Sequence, residues 1–251
     1  MKLSTPFKVI RTIKNWPVFF ADRAGLLRRD YVVYVSRGGV RCKTRSKTSD
    51  AVTLNMVWVH GFYTPDGYGI EEDDVIVDVG AHIGTFSVMA SNIANHGRVY
   101  AFEPEPENFS MLEDNIDINR LENVAAFNLA VSGNSGEREF FVSEDNVDHS
   151  LHFKGGKKTR VKTITLKKFM KVNKIDRIDF LKMDCEGVEY EILFKSPDSV
   201  LKNIRKISME YHDIDGERSM TSLKRFLEKK GFSVKTAPER KMLYAKKSDV
   251  S

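Results

Sequence analysis

One stretch limits what this chain can fold into: Val75-Ile76-Val77-Asp78-Val79-Gly80-Ala81-His82-Ile83-Gly84. Val75 to Val79 is a short β-favouring run that reads as a strand buried on both faces, as in the centre of a parallel sheet. Two glycines four positions apart follow, and then Phe86, Met89, Ala90 and Ile93 fall at helical spacing on one apolar face. Gly97 is placed to end that helix, and Arg98 to Phe102 forms a new strand that runs into Glu103. Strand, glycine turn, helix, strand and acid make a mononucleotide-binding βαβ unit.

The dinucleotide fingerprint G-x-G-x-x-G offers backbone N–H groups to a pyrophosphate. In this chain His82 stands where the middle glycine would be, and Asp78 sits inside the end of the strand. An acid there repels phosphate but suits a ligand that carries an ammonium and a sulfonium. Glu103 lies 19 residues after Gly84, where a carboxylate can accept both ribose hydroxyls. A nucleoside with a cationic tail fits this set, and S-adenosylmethionine is such a ligand. The candidate cofactor residues are Asp78, Gly80, Ala81, His82, Gly84 and Glu103, with Asn128 of the third strand completing the set.

A length of 251 residues suits one α/β domain with an extension, or two small domains. The expected division is an N-terminal cap over 1–70 and a main domain over 71–251. Forty basic against 35 acidic residues leave +5, too mild to imply nucleic acid. Two cysteines without a C-x-x-C exclude a disulfide framework or zinc knuckle and fit a reducing cytoplasm. Phe7, Ile10, Ile13, Trp16, Phe19 and Phe20 form an apolar stripe among bases, interrupted by Pro17 and too short for a signal core or membrane span. The stripe is expected to pack on its own domain, with weak membrane-surface contact over 7–27 as the alternative.

Tyr31 to Ser36 and Val40 to Arg45 flank Arg37-Gly38-Gly39 as a hairpin. Ser49 or Asp50 is expected to cap a short helix toward His60. Residues 1–70 should then cover the substrate opening. Beyond Glu103, Pro104-Glu105-Pro106 leads into a helix with Phe109, Leu112 and Ile116 inward, and Val124 to Val131 is the third strand. Arg138 to Val142 is an extra strand, Ser143 to Leu151 a loop, and Gly155-Gly156 with Val161 to Leu166 a basic hairpin arm. Ile178 to Met183 and Lys206 to Met209 are the fourth and fifth strands, Thr221 to Lys230 is a helix, and Phe232 to Lys235 pairs with Met242 to Ala245.

Ligands of an open α/β sheet bind beyond the carboxyl ends of its strands, where strand order reverses. Four of the five strands read so far end in an acid: Asp78, Glu103, Asp184 and Glu210, with His212 beside the last. Such convergence marks a functional site.

Asp78-Val79-Gly80-Ala81-His82-Ile83-Gly84, Phe102-Glu103-Pro104 and Leu181-Lys182-Met183-Asp184-Cys185-Glu186-Gly187-Val188-Glu189 resemble the FkbM family of class I S-adenosylmethionine-dependent methyltransferases, over roughly Asp50 to His212. The resemblance implies a Rossmann-like, mostly parallel sheet of seven strands in the order 3-2-1-4-5-7-6, the last antiparallel. It also implies methylation of hydroxyls on sugars or natural products. Two departures fall toward the substrate side: Asp148-His149-Ser150-Leu151, where such proteins often carry Ser-Ser-Leu, and Leu166-Lys167-Lys168, where an acid commonly follows the leucine.

Methyl transfer from a sulfonium needs an acceptor oxygen held about 3 Å from the methyl group, with water excluded. A hydroxyl acceptor is helped by a general base, and Asp184, Glu186 and His212 are the candidates. The acceptor is expected to be a hydroxyl on a sugar, a lipid-linked glycan or a small natural product. No metal is expected; a divalent cation held by Asp184 with Glu186, Glu210 or His212 is the alternative. Other function classes compete. A nicotinamide-dependent oxidoreductase is disfavoured by the missing middle glycine. A nucleic-acid binder lacks helix-turn-helix, RNP or zinc signatures, and methylation of nucleic acid or protein lacks an N-P-P-[YF] block after the fourth strand.

Overall fold

The computed structural model describes residues 5–142 and 157–247. The chain opens with α1 (Thr5–Thr12) and α2 (Trp16–Arg23), then β1 (Tyr31–Val35) and β2 (Arg41–Arg45), which pair antiparallel. α3 (Asp50–Leu54) continues as a π-helical turn over Asn55–Val59. The central unit follows: β3 (Val75–Val79), α4 (Thr85–Ile93), β4 (Arg98–Phe102), α5 (Pro106–Asn119) and β5 (Val124–Phe127). Next come β6 (Ala130–Val131), β7 (Gly136–Val142), β8 (Lys157–Ile164) and α6 (Leu166–Asn173). The chain closes with β9 (Ile178–Met183), α7 (Glu189–Lys195), α8 (Asp198–Leu201), β10 (Ile204–Glu210), α9 (Met220–Lys229), β11 (Phe232–Ala237) and β12 (Met242–Lys247).

Seven strands form the main sheet in the spatial order β11-β12-β10-β9-β3-β4-β5. Numbered along the sheet-forming chain, that is the expected 3-2-1-4-5-7-6. β3, β4, β5, β9 and β10 run parallel, and β12 is antiparallel to both its neighbours. β3 and β9 are adjacent, with Asp78 beside Lys182 and Val79 beside Met183. Strand order reverses there, so the crevice opens where β3 and β9 end.

Alternation along the strands divides the core. Ile76 and Phe180 face α4 and the N-terminal elements, where Val9, Ile13, Phe19, Tyr34, Leu54 and Trp58 are buried with them. Val77, Val79, Leu181 and Met183 face the opposite layer with Phe169, Leu193, Leu223 and Leu227. Of the N-terminal stripe, Ile13 and Phe19 pack into the protein's own core while Phe7 and Trp16 stay exposed, and residues 9–68 share one hydrophobic core with the sheet.

Some local expectations are corrected. Val124 to Val131 is not one strand: β5 stops at Phe127, and β6 leaves the main sheet to pair with β8 beside β7. α4 ends at Ile93 instead of running to Gly97, where a Cβ would lie 2.1 Å from the Asp74 carbonyl oxygen; Gly97 is needed for close backbone approach. Ser49 occupies the N-cap position of α3 without a side-chain cap, while Asp50 is fully buried inside the helix and taken by Arg45. Leu166 does not end a strand. It starts α6, because Thr165 accepts the Lys168 N–H as an N-cap. The Asp148-His149-Ser150-Leu151 departure and Gly155-Gly156 lie outside the described residues.

Candidate active site

The turn between β3 and α4 is built by left-handed backbone. Gly80 has φ +75° and Gly84 φ +82°. A Cβ on Gly80 would lie 1.8 Å from the Asp184 carbonyl oxygen, and one on Gly84 2.5 Å from Leu112 Cδ1. Both glycines are thus required by neighbouring protein: one lets the end of β9 close on the turn, the other seats α5. His82 adopts φ +53°, and its N–H donates to Glu103 Oε2 at 2.7 Å. Its ring lies 3.5 Å from buried Asp50 and 3.4 Å from the Arg45 guanidinium, which also binds Asp50 and Asn108. The hairpin and α3 thereby clamp the glycine turn from outside.

Glu103, at the end of β4, is 5% exposed. Each oxygen accepts one backbone N–H, from His82 and from Glu105. Burial pushes this carboxyl up to about 7, against the pull of the two N–H donors. A carboxylate offers roughly four lone-pair directions, so capacity for two hydroxyl donors remains. Asn128 donates to the carbonyls of Glu103 and Pro104 and holds the loop behind that carboxylate.

Asp78 does not reach solvent. Its carboxylate accepts from Ser87 at 2.6 Å and pairs with Lys182 Nζ at 3.0 Å. Lys182, itself 3% exposed, also donates to the Gly80 carbonyl at 2.5 Å. Burial pulls the ammonium down, but Asp78 and Asp184 pull it further up, so it stays charged. Over this cation lies the ring of Tyr63, 5.2 Å away. The Tyr63 hydroxyl donates to Asp184 Oδ2 at 2.7 Å, and burial keeps that phenol protonated.

Beyond Asp184 the acids close around His212. Its Nδ1 is 3.0 Å from buried Glu189 and its Nε2 3.1 Å from Glu186, with Glu210 at 4.0 Å. Burial alone would lower the imidazole, but Glu189, Glu186 and Asp184 together raise it to about 9. His212 is therefore an imidazolium at neutral pH, a counter-ion for Glu186 and Glu189. Glu210 is raised to about 7 by burial and by Asp184. Asp184, Glu186 and His212 offer ligand atoms within 4.8 Å of one another and could hold a divalent cation, as could Glu71, Asp73 and Asp74 away from this cluster.

The arrangement fits S-adenosylmethionine on two observations. Glu103 keeps acceptor capacity for hydroxyl donors, and Asp184 lies against the Gly80 turn, where its carboxylate favours a cationic group.

A family model described as "Methyltransferase FkbM domain" matches residues 78–234. The chain belongs to the FkbM methyltransferase family. Among curated FkbM-like relatives, "Hexuronic acid methyltransferase AglP" of Haloferax volcanii is 32% identical over 155 residues, 61% of this chain and 62% of its own length. "31-O-demethyl-FK506 methyltransferase FkbM" of Streptomyces tacrolimicus is 26% identical over 186 residues, covering 61% of this chain and 71% of that one. The match to "AMB antimetabolite synthetase AmbE" of Pseudomonas aeruginosa covers only 9% of that longer protein. A solved FkbM methyltransferase from Methylobacillus flagellatus aligns at TM-score 0.49 and 17% identity, over 70% of this chain and 44% of that one. Among the described residues no helix is long and apolar enough to cross a membrane.

The FkbM segment starts at Asp78, so Tyr63, Arg45 and Asp50 reach the site from outside it. Sequence reasoning missed these three and Lys182. Lys182 had a signal, since a lone ammonium in the apolar run Ile178 to Met183 must find a buried partner. Tyr63 had none: its partner is 121 residues away.

Proposed function

We propose that this FkbM-family protein transfers a methyl group from S-adenosylmethionine to a hydroxyl oxygen of a sugar, a lipid-linked glycan or a small natural product. The observation that carries the reading is Asp184. This carboxylate ends β9 beside the Gly80 turn, oriented by a buried Tyr63 hydroxyl. Two relatives support an acceptor of this class: one is named for a hexuronic acid, the other for an O-methyl position on a natural product.

When bound, the cofactor supplies an electrophilic methyl group on a sulfonium. Glu103 would accept the ribose hydroxyls, and the His82 and Glu105 N–H groups hold that carboxylate in place. Lys182 neutralises Asp78 and pins the Gly80 carbonyl, which fixes the turn. Asp184 would orient the acceptor hydroxyl and take its proton as the methyl carbon leaves sulfur for oxygen, with S-adenosylhomocysteine as the leaving product; Tyr63 occupies one carboxylate oxygen and leaves the other for that role. His212, already protonated, balances Glu186 and Glu189 and is not the resting base. Glu210 titrates near neutrality beside Asp184 and can receive the proton in turn.

The test incubates the protein with methyl-labelled S-adenosylmethionine and a panel of hexuronic acids, neutral sugars and polyketide alcohols, with mass spectrometry of the products. A gain of one methyl on oxygen in a panel member supports the reading. Label found on nitrogen or carbon of an acceptor contradicts it.

A further inference from the structure

We propose that the outer face of residues 5–47 docks on an anionic lipid surface. This face is separate from the crevice chemistry and does not rest on it.

The inner side of these elements is spent on the core, where Val9, Ile13, Phe19, Val32 and Tyr34 are buried. The outer side is apolar as well. Of the ten large hydrophobic residues exposed among those described, five fall between positions 7 and 33: Phe7 46%, Trp16 37%, Leu26 74%, Tyr31 49% and Val33 42%. They belong to neighbouring elements. Ile13 bridges Ser36, Asn15 donates to the Val33 carbonyl at 2.9 Å, and Arg37 donates to the Ile10 carbonyl at 2.7 Å. Trp16 is thereby brought alongside β1, whose outward residues are Tyr31 and Val33.

Charge selects the occupant. Residues 1–47 contain twelve Lys and Arg against two Asp, whereas the remaining 204 residues contain 28 against 33. One of the two acids, Asp22, is taken by the Tyr34 hydroxyl. Arg11, Lys14, Arg23, Arg28 and Arg29 are exposed within the same segment as the apolar residues. Exposed aromatic and aliphatic side chains interspersed along the chain with exposed bases match an interface of acyl chains under anionic headgroups. A second copy of this face would meet like charge, and a nucleic-acid duplex would leave Leu26 and Trp16 without an apolar partner.

The test uses the full chain with vesicles of phosphatidylcholine containing about 30% phosphatidylglycerol, against pure phosphatidylcholine, by co-sedimentation. The chain has two tryptophans, and Trp58 is buried with its ring N–H on the Thr85 carbonyl, so an emission shift reports Trp16. Expected are binding to the anionic vesicles only, a blue shift, and release by salt. Arg28→Gln with Arg29→Gln should weaken partitioning roughly 25-fold, at about fivefold per base. Leu26→Ser should weaken it with an unchanged urea midpoint. No co-sedimentation, equal binding to pure phosphatidylcholine, or variants that bind like the wild type would overturn the proposal. So would a duplex DNA that binds as tightly as the vesicles, or a solution dimer that shields Trp16.

Discussion

The acid cluster around His212 makes a prediction about stability that needs no substrate. The imidazole is raised from 6.5 to about 9, with Glu189 as its strongest partner. A base whose pKa is higher in the folded state stabilises the fold fully below the unfolded value, and that stabilisation is lost as pH rises through the folded value. The window is therefore pH 6.5 to 9. At pH 7 the linkage is worth about 2–3 kcal/mol, and by about pH 9.5 almost nothing. Glu103 and Glu210, both raised to about 7, act in the same direction but mostly below that pH. Urea unfolding at pH 7 and at about pH 9.5 should thus show wild-type stability falling by roughly 2–3 kcal/mol. His212→Gln keeps a donor for Glu189 but does not titrate, so its stability should change far less across the same interval. NMR titration of the imidazole should give a midpoint near 9. A midpoint near 6.5, or a variant with the wild-type slope, would refute the reasoning.

Other outcomes follow from the same geometry. Asp184→Asn preserves shape and the Tyr63 hydrogen bond but removes the charge; turnover should fall about 10²–10⁴-fold while cofactor affinity falls far less, and a variant that methylates at the wild-type rate would exclude Asp184 as the base. Turnover should persist in EDTA, because the account gives the proton to carboxylates; loss on chelation, restored by a divalent cation, would instead make Asp184, Glu186 and His212 ligands. A chain beginning at Ile70 loses Val9, Tyr34, Leu54 and Trp58 from the core shared with Phe86 and Phe180. It should fail to unfold cooperatively, and a truncated chain with full turnover would contradict the role given to residues 1–70.

Much of the fold was legible because the parallel sheet writes itself locally. β3, β4 and β9 are short apolar runs bounded by turn residues, and their observed limits match the expected ones. The acids ending them were readable for the same reason: a charge that closes a buried run stands out. Three things were not readable. β5 and β6 fall in one mostly apolar run interrupted only by Asn128, and the pairing of β6 with β8 is what separates them. α6 begins with Leu166, Lys167 and Lys168 after a strand of mixed polar residues, where periodicity is weak and the Thr165 cap is the main signal. The clamps on the turn and on Asp184 come from Arg45, Asp50 and Tyr63, and long-range hydrogen bonds leave no mark in local spacing. Gly80 and Gly84 were also read as cofactor residues; the close approach they allow is that of Asp184 and Leu112.

The central claim is that Glu103 receives the ribose of S-adenosylmethionine, and calorimetric titration tests it most directly. Charge-assisted hydrogen bonds are worth roughly 1.5–3 kcal/mol each, and Glu103 has acceptor capacity beyond the two N–H groups it already serves. S-adenosylmethionine and S-adenosylhomocysteine should bind the wild-type protein, and Glu103→Ala should bind both at least about tenfold more weakly while unfolding cooperatively. A folded Glu103→Ala protein with unchanged affinity, or a wild-type protein that binds neither compound, would contradict the account.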